Sequence, residues 1–120
     1  SFPTRRSSDL SGTIIDLYVE IGSSTGVSDQ DAALRGGIWT GFNTDTFKSE
    51  EKEINGVKWQ VAHKFDHYKY DDRDHESYAY GIVIGDNYYA ISVDFYPDDE
   101  RAKEEAQKIE NSLWLKNIYK

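Results

Sequence analysis

The sequence predicts a single α+β domain in which an antiparallel β-sheet meander packs against helices. Three observations indicate this class: apolar residues alternate along several short segments, two other segments carry them at helical spacing, and turn residues separate these segments. The predicted order is strand, helix, four strands and helix, β-α-β-β-β-β-α. A chain of 120 residues suits one domain with one core.

The first predicted strand covers residues 13–21, where four apolar residues alternate with polar or charged ones. A segment rich in glycine and serine then breaks the strand. Ser28 suits the N-cap of a helix. Leu34, Ile38 and Phe42 follow at intervals of four and predict the apolar face of that helix. Because a glycine pair lies in its middle, we expect this helix to need tertiary support or to bend there.

Two β-hairpins are predicted next. Asn55-Gly56 is a strong signal for a hairpin turn between segments 47–54 and 57–68. One face of the second arm is predicted to carry Trp59, Val61, His63, Phe65 and His67, with a solvated face opposite. The polar stretch 69–76 is predicted as a solvated loop, and a second hairpin turns at residues 85–87.

Pro97 ends the last strand, and Asp98 or Asp99 is expected to cap a closing helix. Its apolar face is predicted from residues spaced four, three and four apart, which are Ala102, Ala106, Ile109 and Leu113.

The composition excludes several classes of function. A net charge of −8 disfavours binding to nucleic acid or to anionic lipid, which would require a basic surface. The chain has no cysteine, so disulfides, thiolate catalysis and cysteine-ligated metal sites are excluded within it. No apolar run is long enough to cross a membrane. No motif for a cofactor is present, so none is predicted.

The first ten residues, SFPTRRSSDL, differ in character from the rest. They match, codon by codon, the translation of a common sequencing adapter, whose last two bases encode leucine whatever base follows. We therefore predict that residues 1–10 are a non-native, adapter-derived segment and that residues 11–120 form the domain. The domain is then expected to be N-terminally truncated, so a signal peptide, lipid anchor or upstream domain would lie outside this sequence.

The candidate metal ligands are histidines and an acidic cluster. His63 and His67 are four residues apart on a predicted strand, about 13 Å, which is too far for both to bind one metal ion. The acidic cluster in the stretch 69–76 comprises Asp71, Asp72, Asp74, His75 and Glu76. An EF-hand loop has glycine at its sixth position and glutamate at its twelfth, and this cluster has neither residue there. A solvated loop is therefore favoured over a cation site.

Four tyrosines are candidate partner-binding residues. Tyr78 and Tyr80 share one strand face. Tyr88 and Tyr96 lie on the face of the next strand that the alternation of apolar and polar residues marks as polar. A half-exposed aromatic sheet face favours contacts with another protein, because aromatic rings supply contact area at low entropic cost. Burial of these rings beneath a helix is the alternative interpretation.

Three segments carry a family resemblance: EINGV at 53–57, YYAISVDF at 88–95 and IENSL at 109–113. With the order of elements, they make the chain similar to the Mog1/PsbP-like superfamily, and in particular to bacterial PsbP-like proteins, which are often exported or lipid-anchored. The resemblance implies an antiparallel sheet between helices and a role in binding protein partners or assembling complexes. It implies no shared catalytic residues.

The sequence therefore predicts a non-enzymatic protein-interaction or complex-assembly module of a bacterial envelope or exported protein, with an unidentified protein partner. The alternative is a metal-binding protein or a metal-assisted hydrolase that uses His63, His67 and His75 with nearby carboxylates.

Overall fold

A computed structural model describes residues 4–7 and 15–113 of the chain. The strands and helices, in chain order, are β1 (Thr4–Ser7), β2 (Ile15–Ser23), α1 (Asp29–Gly37), a 3-10 turn (Ile38–Thr40), β3 (Glu50–Ile54), β4 (Val57–Tyr68), β5 (Arg73–Ile84), β6 (Asn87–Phe95) and α2 (Glu100–Asn111). The α+β class is therefore confirmed. No helix among these residues is long and apolar enough to cross a membrane.

The strands form one antiparallel sheet in the order β1-β2-β6-β5-β4-β3. The meander prediction holds for β3 to β6, whereas β2 lies beside β6, far from β3. Strand β1 was not predicted, and it pairs with β2 at the edge of the sheet, with Thr4 opposite Val19. β1 lies within the segment predicted to be adapter-derived, and the origin of that segment stays a prediction.

Strand β5 begins earlier than the polarity of its sequence suggests. The stretch 69–76 was predicted as a solvated loop, but only residues 69–72 form the turn. Residues Arg73 to Glu76 belong to β5 and pair with β4. The prediction was wrong for these four residues because their carboxylates and imidazole find partners within the sheet.

The helices cover opposite faces of the sheet. Helix α1 packs on the face that carries Ala79, Gly81 and Ala90, and we call this the α1 face. Helix α2 packs on the other side, where Ala102 and Ala106 contact Ile15 and Phe95; this is the α2 face. The larger part of the core also lies on the α2 face, around Trp59, Tyr80 and Leu113.

Helix α1 begins as predicted, with a capping box in which the Ser28 hydroxyl accepts a hydrogen bond from the Asp31 amide, and the Asp31 carboxylate accepts one from the Ser28 amide. Its predicted apolar face was wrong. The buried residues are small ones, Ala32, Ala33, Gly36 and Gly37, and Ile38 is exposed.

Small residues face the sheet because α1 and β5 approach very closely. A Cβ atom added to Gly81 would lie 2.0 Å from the backbone nitrogen of Ala33. No side chain larger than hydrogen fits there, and the glycine pair of α1 has its own close contacts with the sheet, at Ala90 and Ala79. The glycine pair therefore allows close packing of the helix on the sheet.

Helix α2 agrees with its sequence pattern. Asp99 is the N-cap, and its carboxylate accepts hydrogen bonds from the amides of Arg101 and Ala102. Ala102, Ala106 and the following Leu113 are buried.

Strand β4 is covered at one end only. On the α2 face Trp59 is buried, whereas His63 and His67 are exposed and Phe65 is 55% exposed. The opposite face, predicted to be solvated, contains buried Ala62. The far end of β4 on the α2 face is therefore open surface.

Candidate functional site

His63 and His67 lie on the open part of the α2 face, each paired with carboxylates. The Nε2 atom of His63 is 2.6 Å from Oε2 of Glu76. His67 lies 2.9 Å from a carboxylate oxygen of Asp74 and 3.0 Å from one of Asp72. Hydrogen bonds to Asp74 and then Asp72 raise the pKa of His67 above its ordinary value.

His75 lies on the α1 face and is only 4% exposed. Its Nδ1 is 2.8 Å from Oδ2 of Asp94, and its Nε2 is 2.7 Å from Oδ2 of Asp71. Because both ring nitrogens lie within hydrogen-bond distance of carboxylate oxygens, the arrangement favours the imidazolium, in which both nitrogens donate. Burial acts to lower the pKa of His75, but the hydrogen bonds to Asp94 and Asp71 outweigh it and raise that pKa.

The histidines and acidic residues considered as metal ligands are divided between the two faces. His75 and Glu76 are consecutive in β5, so their side chains lie on opposite sides of the sheet. No group of three or more histidine and acidic side chains within residues 15–113 is arranged to hold a metal ion. The candidates instead form the pairs described above, which involve Asp71, Asp72, Asp74, His75 and Glu76.

Two of the four candidate tyrosines, Tyr80 and Tyr88, are buried. The Tyr80 hydroxyl donates to Oε1 of Glu110 at 2.8 Å, and burial raises the pKa of Tyr80. The Tyr88 hydroxyl donates to the carboxylate of Glu20. Their rings pack beneath the helices, which was the alternative interpretation, so they offer no surface to a partner.

Tyr78 and Tyr96 are half-buried. The Tyr78 hydroxyl lies 3.2 Å from a carboxylate oxygen of Glu76, and burial together with that charge raises the pKa of Tyr78 to about 12. The Tyr96 ring is covered on one side by the guanidinium of Arg73, 3.5 Å from the ring centroid. A role for these two rings in partner binding stays a prediction.

A cavity of about 180 Å³ lies between α2 and the sheet and includes Tyr78 and Tyr80 in its lining. Most of its polar groups are already paired. The Nζ atom of Lys52 donates to Oε2 of Glu110 at 2.7 Å. Burial would raise the pKa of Glu110, but hydrogen bonds from Lys52 and Tyr80 lower it. This cavity therefore resembles a satisfied polar part of the core more than a binding site.

The α1 face carries another pocket, of about 280 Å³, which was not predicted from the sequence. It lies where the chain leaves α1 through the 3-10 turn, beside β2, β6 and the β4–β5 turn. Its described lining residues are Asp16, Tyr18, Trp39, Thr40, Gly41, Tyr68, Tyr70 and Asp94. We call it the aromatic pocket.

Exposed aromatic rings form part of this pocket. Trp39 is 46% exposed and Tyr70 is 79% exposed, although both are large rings. Trp39 stacks on Tyr18 with ring centroids 6.1 Å apart, and its indole N–H donates to Oε1 of Glu20 at 3.2 Å. The ring centroids of Tyr70 and Tyr68 are 5.6 Å apart. Each exposed ring therefore has an aromatic neighbour in the pocket.

The buried ring of His75 holds the inner part of the aromatic pocket in place. The ring of His75 stacks on Tyr68 with centroids 4.2 Å apart. The same histidine bonds one oxygen of Asp94, and the Ser77 hydroxyl donates to the other. The Lys64 ammonium donates to the Tyr68 hydroxyl. Both Tyr68 and Asp94 are therefore held in place before any ligand binds.

The pocket was missed because its residues come from four separate parts of the chain. Tyr18 lies on the face of the first strand that alternation marks as polar, and Asp16 meets Asp94 only through the pairing of β2 with β6. One local signal was present. Trp39 and Tyr70 are large aromatic residues in stretches otherwise rich in glycine, threonine and aspartate. Such residues in polar connecting segments are candidates for binding.

No protein-family model matches this chain, and no curated protein sequence shows a significant match to it. The Mog1/PsbP-like assignment therefore stays a prediction.

Proposed function

We propose that this chain is a non-enzymatic protein-interaction or complex-assembly module whose contact surface is the aromatic pocket. The observation that carries the proposal is the exposure of Trp39 and Tyr70 at the edge of a formed pocket. Tryptophan and tyrosine dominate the binding energy of many protein interfaces. Large exposed rings at the edge of a pocket are therefore best explained as contact residues.

The support of the rings also favours binding. The stacking of Trp39 on Tyr18, and its hydrogen bond to Glu20, limit the rotamers of the indole. Immobilising a flexible side chain on association costs roughly 0.5–1.5 kcal/mol. A ring that is already held loses less entropy, so more of its contact energy appears as affinity.

The proposal includes location in a bacterial envelope or an exported protein. This part rests on the resemblance to bacterial PsbP-like proteins and is tested separately, by the upstream gene sequence. The metal-assisted hydrolase is not carried forward. His63 and His67 lie on the α2 face and His75 lies on the α1 face, so the three histidines do not meet at one site.

The test is a selection of displayed peptides on the immobilised domain, followed by calorimetric titration of the enriched peptides. The double variant Trp39→Ala/Tyr70→Ala should weaken binding at least tenfold. Phe65→Ala is the matched control, because Phe65 is an exposed aromatic residue on the opposite face of the sheet. Enrichment of no peptide, or equal affinity for the double variant and the wild type, would contradict the proposal.

A further inference from the structure

The two ends of the sheet are protected against further strand pairing to different degrees. Strand β3, at one edge, has the sequence EEKEI, in which four of the five residues are charged. Charged side chains on an edge strand discourage the addition of another strand. Strand β2 has the sequence IDLYVEIGS, without lysine, arginine or proline, and its α2 face carries Leu17, Val19 and Ile21. β2 therefore lacks the protection that β3 has.

Only a short strand pairs with the outer side of β2. Strand β1 has four residues and lies opposite residues 16–19. On that side, residues 20–23 pair with no strand in the part of the chain that the structure describes. The β1 sequence, TRRS, contains no apolar residue and has no alternating pattern. Its pairing therefore indicates that the outer side of β2 accepts a strand without requiring a particular sequence.

The outer side of β2 is expected to be open in the natural protein. Residues 1–10 are predicted to be adapter-derived, and β1 lies within them. Without β1, the outward N–H and C=O groups of the nine residues of β2 would form a template for pairing with another chain. Addition of an extended peptide to such an edge is a common mode of recognition, in which the main chain supplies affinity and alternate side chains supply specificity.

Both faces of the sheet beside this edge offer contacts to an added strand. On the α2 face Leu17 and Val19 are half-buried, and Ile21 is 48% exposed. Apolar residues at alternate positions of an added strand would cover these side chains. On the α1 face Tyr18 stacks on Trp39 in the aromatic pocket. A residue placed opposite Tyr18 would therefore lie next to the contact surface proposed above.

We propose that an extended segment of a protein partner adds to β2 as a further antiparallel strand. Apolar residues at alternate positions of the segment pack on Leu17, Val19 and Ile21, and the intervening residues lie beside Tyr18 and Trp39. The inference rests on the proposed function and on the predicted adapter origin of residues 1–10. It names the conformation and the residue pattern of the partner segment.

The test is a calorimetric and NMR titration of the full chain with a capped heptapeptide of alternating threonine and valine. Because β1 competes for the same edge, the titration is repeated with Arg5→Pro/Arg6→Pro, in which proline removes main-chain donors of β1. We expect the peptide to bind this variant severalfold more tightly than the unaltered chain, and to protect amide hydrogens within residues 20–23 from exchange.

Three results of this titration would overturn the proposal. They are the absence of binding to the variant, equal affinity for the variant and the unaltered chain, and protection of β3 in place of β2. The melting temperature of Arg5→Pro/Arg6→Pro is measured first and should equal that of the unaltered chain. A clear fall would show that β1 belongs to the native sheet, and would also overturn the proposal.

Modified peptides separate main-chain pairing from apolar adhesion, and they can be tested on the unaltered chain. N-methylation of every valine blocks the donors along one edge of the peptide, and N-methylation of every threonine blocks those along the other. Only one peptide edge can face β2 while the valines lie on the α2 face. One methylated peptide should therefore bind at least tenfold more weakly than the other, and equal binding would contradict strand addition. A peptide with the same composition but consecutive valines should also bind severalfold more weakly than the alternating one.

A second copy of the chain is the competing occupant of this edge. Sedimentation of Arg5→Pro/Arg6→Pro tests it, since a dimer at micromolar concentration would assign the edge to self-association and overturn binding of a partner segment. The two proposals can fail separately. Selected peptides that require Trp39 and Tyr70, yet leave the amides of β2 unprotected, would retain the interaction module and remove strand addition. Peptide pairing with β2 that is unchanged in Trp39→Ala/Tyr70→Ala would retain strand addition and remove the aromatic pocket as the contact surface.

Discussion

Replacement of His75 by phenylalanine should destabilise the domain by an amount that depends on pH. Phenylalanine keeps a planar ring against Tyr68 but donates no hydrogen bond, so Asp94 and Asp71 lose their shared cation. The substitution therefore separates the charge of the imidazolium from its packing.

The expected loss in the free energy of unfolding follows from the burial of His75 and Asp94. The side chains of His75 and Asp94 are only 5% and 14% exposed, so little solvent replaces the lost partner. A hydrogen bond to a charged group contributes about 1.5–3 kcal/mol. Two such bonds are lost, but Asp94 keeps the hydrogen bond from Ser77 and Asp71 is partly exposed, so the net loss should be about 3 kcal/mol. For a domain of this size the melting temperature should fall by roughly 12 °C.

The pH dependence has a definite direction. The two carboxylates raise the pKa of folded His75 above its ordinary value of 6.5, although burial opposes them. The folded state then holds the proton more tightly than the unfolded state does. The stability contributed by this group is fully present below pH 6.5 and is lost as the pH rises through the pKa of the folded state. The difference between the wild type and His75→Phe should therefore shrink at alkaline pH.

Urea unfolding at pH 5.5, 6.5, 7.5 and 8.5 measures this difference. The matched control is His67→Phe, because His67 also faces two carboxylates but its side chain is 52% exposed. Exposed ion pairs are screened by water, so this variant should differ little from the wild type. The assignment of a buried imidazolium would be refuted if the difference in unfolding free energy between the wild type and His75→Phe were constant between pH 5.5 and 8.5. An equal loss of stability in both variants would also refute it.

Two further predictions concern the sheet. Gly81→Ala should cost at least about 3 kcal/mol in the same unfolding assay, because the new Cβ would lie 2.0 Å from the Ala33 nitrogen and α1 would have to move. Gly36→Ala, whose nearest neighbour would be 3.1 Å away, should cost less, and an equal cost would contradict the close-packing argument. Deletion of residues 1–10 should leave the melting temperature unchanged within error. A clear loss would show that the pairing of Thr4–Ser7 with β2 stabilises the native domain, and would contradict an adapter origin for the segment.

Helix capping and hairpin turns were predictable because they depend on residues close together in the chain. Ser28 and Asp99 cap their helices as expected, since a side-chain oxygen reaches amides only two or three residues ahead. Asn55 and Gly56 both have positive φ, as the predicted tight turn requires. Alternation also placed Tyr78 and Tyr80 on one strand face correctly.

Predictions failed where residues far away in the sequence determine whether a side chain is buried or exposed. The sequence pattern of α1 favoured Leu34, Ile38 and Phe42 as its buried face, but the depth at which α1 lies on the sheet is set by Gly81, almost fifty positions away. The solvated loop predicted at 69–76 was shortened because Asp94 of β6 provides a partner for His75. Tyr80 and Tyr88, half-exposed in an isolated sheet, are buried once both faces are covered.

The sequence by itself determined the class of the fold, the caps, the turns and the faces of most strands, because these follow from backbone geometry and side-chain periodicity over a few residues. Only the tertiary structure decided that β2 lies beside β6, which brings Asp16 opposite Asp94. It also decided that the turn after β4 carries Tyr70 to the same pocket as Trp39. Such contacts depend on strand pairing between segments far apart in the chain, which a local sequence pattern does not determine.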